Sequence, residues 1–146
     1  MNRPLILSLA VAAALTLGAC GDSGTGPDDD GDSGNTRTIV ADPSYANVIK
    51  GIFNRRGCAS GSCHGSAQAA GLSLTSSTSY ANLVNVTATQ DAAARVIPGD
   101  ANGSYLIVKV EGRQTMGQRM PIGGAALDNI DLTNLKNWIN QGAKNN

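Results

Sequence analysis

The stretch Gly57-Cys58-Ala59-Ser60-Gly61-Ser62-Cys63-His64-Gly65 gathers two of the three cysteines and the only histidine of a 146-residue chain. Two thiols and an imidazole this close together have a short list of uses. A disulfide between Cys58 and Cys63 can close in a turn-rich loop, but it gives His64 no role. A structural zinc site takes four Cys or His ligands; the loop supplies three, with no carboxylate beside it. A Cys–His nucleophile pair needs the base to reach the thiol and an Asn or Asp to orient it, and adjacent residues rarely present their side chains to each other that way. The remaining chemistry is covalent haem attachment. Its usual signal is C-x-x-C-H, in which the thiols form thioethers to the porphyrin vinyl groups and the His ligates the iron. Here the spacing is C-x4-C-H. The inserted residues are small and flexible, so the longer arc can bulge.

A second iron ligand would have to come from elsewhere. Met120 sits in the loop Arg119-Met120-Pro121-Ile122-Gly123-Gly124. A thioether sulfur is a soft ligand, and His/Met ligation raises the reduction potential of a haem. Methionine also fills cores, but a loop of Pro and Gly is a poor setting for a core residue. Met116 is the alternative ligand. The chain has one Trp, one Phe and three Tyr, few of the rings that usually dominate core energetics. A large apolar cofactor would supply what a small domain lacks.

Several elements must position these residues. Asp42-Pro43 reads as a helix start, with Asp as the cap and Pro at the first helical position. Tyr45, Val48, Ile49, Ile52 and Phe53 then recur at helical spacing, and Gly57 ends the helix. Gly71 to Leu74 reads as extended. Tyr80, Leu83 and Val84 predict a brief helix capped by Ser77 or Thr78. Pro98-Gly99-Asp100 is a turn, and Tyr105 to Val108 starts a helix closed by Gly112. Residues 114–126 form an irregular loop. Asp128 caps a final helix with Leu132, Leu135, Trp138 and Ile139 on one face and Gly142 at its C-terminal cap. The expectation is an all-α fold of four short helices with long loops.

The first forty residues differ in kind. Arg3 followed by the apolar run Leu5 to Leu17 reads as a secretory signal, too short to span a membrane. Gly21 to Thr36 is Gly, Asp and Ser with almost nothing apolar, a composition that cannot repay the entropy of ordering. It reads as a flexible tether. Its Asp-rich run does not have the order of a calcium loop. The chain carries eleven bases and eleven acids, so no overall charge argues for nucleic acid. From Ala41 onward nine bases face six acids, a mild excess that reads as solvated surface.

Two resemblances follow from these residues. Leu17-Gly18-Ala19-Cys20 resembles a bacterial lipobox, which implies that Cys20 is lipidated and becomes the mature N-terminus. Multiple acyl chains would give stable anchoring and leave Cys58 and Cys63 as a pair. Gly21 after that Cys favours the outer membrane. The order "GCASGSCHG", "RVIPGDANGSYLIVKVEG", "RMPIGGAALDNIDLTNLKNWINQGA" resembles the monohaem class I c-type cytochrome domains of exported bacterial lipoproteins, over Asp42 to Ala143. The C-x4-C-H spacing departs from that family's pattern.

The resemblance implies a cytochrome c-like domain over residues 41–146, behind a signal peptide at 1–19 and a lipidated tether at 20–40. It implies one covalent haem c, Cys58 and Cys63 as thioether anchors, His64 as proximal ligand and Met120 as distal ligand. Arg113, Arg119 and Lys109 become candidates to pair with haem propionates. The implied function is electron transfer with redox protein partners, no nucleic acid and no small-molecule substrate, rather than enzymatic turnover. Two alternatives stay open: a five-coordinate haem enzyme or gas or peroxide sensor, if Met120 does not ligate; and a haem-free surface lipoprotein with a Cys58–Cys63 disulfide. Localisation is periplasmic or cell-surface.

Overall fold

The computed structural model describes residues 37–75 and 77–146. The signal sequence, Cys20 and residues 20–36 of the tether lie outside the described residues. The described part is helical, with no strand among the described residues, and no described helix is long and apolar enough to cross a membrane.

The first helical run begins with a wide turn at Tyr45–Ile49, in which main-chain bonds span five residues, and continues as α1, Lys50–Arg55. Its cap is Ser44 rather than Asp42: the Ser44 hydroxyl accepts from the Asn47 N–H at 3.4 Å. Asp42 pairs instead with Lys144 at 2.7 Å. The N–H groups left over at this helix start are met from the far end of the chain. Asn146 accepts from Ala46 N–H through its carbonyl (2.8 Å) and from Tyr45 N–H through Oδ1 (3.0 Å).

α2 spans Tyr105–Glu111 and α3 spans Asn129–Asn140. Asp128 caps α3 as its sequence position predicts, accepting from the Asp131 N–H at 2.9 Å. α1, α2 and α3 stop by one device. Gly57, Gly112 and Gly142 take positive φ (67°, 77° and 97°). The residue after each glycine returns its N–H to a carbonyl five residues back: Cys58 to Phe53, Arg113 to Val108, Ala143 to Trp138. A residue with a Cβ pays strain in that conformation, which is why glycine marks these ends.

The expected helix around Tyr80 is absent; residues 77–83 form successive turns. Val84 bridges to Val96, and Asn85 at φ 59° sends its N–H to the Val96 carbonyl. The Ser and Thr hydroxyls nearby give the backbone competing partners, as where the Ser73 hydroxyl accepts from the Thr75 N–H at 3.5 Å.

The core is the crossing of the first helical run with α3. Tyr45, Ile49, Ile52 and Phe53 pack against Leu135, Trp138 and Ile139, all buried. Tyr45, Tyr80 and Trp138 form an aromatic triad with centroids 5.2, 5.2 and 6.5 Å apart. Each polar tip is satisfied: Tyr45 by Ser79, Tyr80 by the Ala143 carbonyl, Trp138 by the Lys144 carbonyl. Such rings add stability beyond their area only when those tips find partners.

Beside that core lies a charged knot. Asp131 has no exposed surface and meets three guanidinium groups, Arg55 at 2.5 Å, Arg56 at 2.6 Å and Arg37 at 3.3 Å. Asp128 adds contacts to Arg37 and Arg56. Residues 37–40, expected at the end of the tether, are pinned to α3: Val40 N–H donates to Asn134, Asn134 to the Thr38 carbonyl, and Asn137 to the Val40 carbonyl.

Removing one member of a buried ion network leaves the others uncompensated. Asp131→Asn should destabilise the protein by about 3–5 kcal/mol, read as a fall in the urea midpoint at unchanged slope. A loss under about 1 kcal/mol, the scale of an exposed pair, would show the network to be solvated.

Candidate functional site

The turn at Gly57 aims the chain directly into the cysteine loop. Phe53 O accepts from Cys58 N–H at 2.8 Å, so the first thiol is fixed by the end of α1. The longer spacing is absorbed by a bulge with its own hydrogen bonds. Ser60 O accepts from Cys63 N–H (3.0 Å) and Gly65 N–H (2.8 Å), and His64 N–H reaches back to Cys58 O at 3.1 Å. Gly65 is required by this packing: a Cβ there would sit 2.5 Å from Ser60 O and 2.6 Å from Ala59 O.

His64 is half-buried. Its Nδ1 lies 2.9 Å from the Ala69 carbonyl. A carbonyl only accepts, so Nδ1 carries the proton and Nε2 keeps its lone pair for a Lewis acid. Burial first, with Arg95 and Lys109 nearby, lowers the imidazole pKa against the hydrogen bonds that raise it. The ring is therefore held neutral, the form a metal binds.

On the opposite stretch, Met120 N–H donates to the Lys109 carbonyl at 2.9 Å, tying the loop to α2. Arg119 clamps the same loop through the carbonyls of Met120 (3.4 Å) and Gly124 (2.9 Å), while its stem lies against Gly112. Met120 is half-buried against the core. Met116, the alternative ligand, is 57% exposed.

These pieces surround one cavity of about 420 Å³. Cys58, Cys63, His64 and Met120 all line it, between aliphatic walls that include Ile52, Leu72, Leu83 and Leu135. The volume falls within the range of cofactor pockets. Met116 does not line it. Of the three basic residues read as propionate partners, only Lys109 does. Arg113 is turned to Glu111 at 2.6 Å, and Arg119 is spent on the loop carbonyls. Arg95 also lines the cavity; in the sequence nothing in its neighbours distinguishes it from a surface arginine. Among the described residues no three His, Cys, Asp or Glu side chains converge as an ion site.

Cys58 and Cys63 are free thiols in unlike settings. Burial raises the Cys58 pKa to about 11. Cys63 is exposed, and hydrogen bonds from Ser60 and Ser62 lower its pKa.

The chain matches no protein-family model, no curated protein and no solved structure.

With both thiols free, iodoacetamide at pH 8 should modify Cys63 first, with Cys58 slower by about tenfold or more, because the thiolate is the nucleophile. Peptide mass mapping over time reads the order; equal rates would contradict the burial of Cys58. The same thiol has a pH signature. Its folded pKa lies above the unfolded value near 9, so its contribution to stability is complete below pH 9 and is lost between pH 9 and 11. The urea midpoint should fall across that window, and less so in Cys58→Ala.

Proposed function

We propose that this chain is an electron carrier that holds one haem c in this cavity, within a cytochrome c-like domain. The observation that carries the reading is that both thiols, the neutral imidazole and the Met120 thioether line a single apolar cavity. The donor set fits the group: two thiols for the vinyl positions, a nitrogen and a soft sulfur for iron. When bound, such a haem would supply a one-electron couple.

The chain's own residues then have defined tasks. Cys58 and Cys63 would hold the group covalently, each thiol giving its sulfur and its hydrogen to one vinyl double bond with no oxidant needed. His64 offers Nε2, its ring oriented by the Ala69 carbonyl. Met120 offers its sulfur from a loop held at Lys109 and Arg119, so the donor does not wander. The aliphatic walls exclude water, and a low-dielectric site with a neutral nitrogen and a neutral sulfur favours the less charged state of the iron. Arg56 and Gly57 bring the end of α1 to the cavity wall, which ties the anchors to the core.

The sequence of the first twenty residues supports an exported, lipid-anchored carrier in the periplasm or at the cell surface, on the outer membrane by the residue after Cys20. Its partners on this reading are other redox proteins, with no small-molecule substrate.

The test is expression with a cytochrome maturation system. A haem stain that survives a denaturing gel, with the mass of one porphyrin added, is the expected result. Met120→Ala should abolish the methionine–iron charge-transfer band at the red edge and lower the potential, while His64→Ala should abolish low-spin haem altogether. A colourless protein with the bare-chain mass and a Cys58–Cys63 disulfide would overturn the proposal. A high-spin haem spectrum that Met120→Ala leaves unchanged would return the five-coordinate reading.

A further inference from the structure

Charge is paired wherever this fold buries it, except at the cavity. Asp131 is met by three guanidinium groups. Arg95 and Lys109 are also buried, 9% and 8% exposed, and both line the cavity. Among the described residues neither forms an ion pair. Arg95 gives its hydrogen bonds to main-chain carbonyls, Asn82 at 2.8 Å, Gly71 at 3.1 Å and Ala70 at 3.3 Å. Lys109 has one long contact, 3.4 Å to the Met116 carbonyl, and its ammonium stands 6.0 Å from the Tyr105 ring centroid. Desolvation lowers the pKa of both. A third group is short of a partner: the Tyr105 hydroxyl is buried without a hydrogen bond, on a residue that also lines the cavity. Burial first, and then the exposed Asp91, raises the Tyr105 pKa, and Glu111 is taken by Arg113 and Lys136.

Two desolvated cations and an orphan donor around one apolar space are costly unless an anion joins them. We infer that the cavity is built for a dianionic occupant, with Arg95 and Lys109 each receiving a carboxylate and the Tyr105 hydroxyl donating to one of the two. The inference rests on the porphyrin reading for the identity of that occupant, since a porphyrin carrying two propionates has the required charge and apolar area. It assigns the polar end of the cavity to residues 95, 105 and 109, and frees Arg113 and Arg119 from that task.

The test compares two probes on the full chain, purified with free thiols and without cofactor: ferric protoporphyrin IX and its dimethyl ester, titrated by visible absorbance. Charge-assisted hydrogen bonds of this kind correspond to at least about tenfold in affinity, so the diacid should bind at least about tenfold more tightly than the diester. Lys109→Met should close most of that gap, read as the ratio of diacid to diester affinity within each protein, and Tyr105→Phe should close a smaller part. The wild-type comparison needs no variant to fold. Equal affinity for the two probes overturns the inference and leaves the porphyrin reading standing. Binding of neither probe overturns the reading and the inference with it.

Discussion

One fully buried carboxylate, Asp131, sets where everything else sits. It stands in the first turn of α3 and is held by side chains from the end of α1 and from residue 37. Isolated, it would be expensive to desolvate; with three guanidinium groups it becomes a fixed point. Because Arg55 and Arg56 immediately precede Gly57, that point also fixes the origin of the cysteine loop. The helix crossing alone would permit sliding of apolar faces, whereas the ion network and the Asp128 cap allow one arrangement.

A domain with so few aromatic residues must still reach a stable core. It spends three of its five rings on a single triad at one end of the helix crossing. The other end opens into the cavity, walled by aliphatic side chains. An apolar occupant there would extend the core, since each buried Å² of apolar surface contributes roughly 25 cal/mol. Binding and folding would then share one free energy, as ligand linkage requires. The loops from 113 to 127 are consistent with this division: little apolar packing of their own, and backbone ties from Lys109 and Arg119 instead.

Much of this architecture is legible in the sequence because its signals are local. The spacing of Tyr45, Ile49, Ile52 and Phe53, the Asp128 cap, and Gly57, Gly112 and Gly142 are each decided by neighbours within a turn or two. That His64 and Met120 line one cavity agrees with a sequence expectation that rested on chemistry rather than on any local pattern. What depends on distant partners is not legible. Asp42 and Pro43 look like a helix start, but Ser44 is the cap and Asp42 pairs with Lys144 near the other end of the sequence. The brief helix at Tyr80 yields to a bridge with Val96. The excess of bases reads as surface charge, yet Arg95, Lys109 and Asp131 are interior, and no local pattern distinguishes them from solvated neighbours.

The seam between residues 37–40 and α3 has a mechanical consequence. Any pull on the chain ahead of Arg37 enters the domain through the amides of Asn134 and Asn137 and the carboxylate of Asp128. The tension is thus carried by the longest described helix and is spread over several bonds in parallel. The carboxylates of Asp128 and Asp131 also hold Arg55 and Arg56, so they stand between that pull and the loop bearing Cys58, Cys63 and His64.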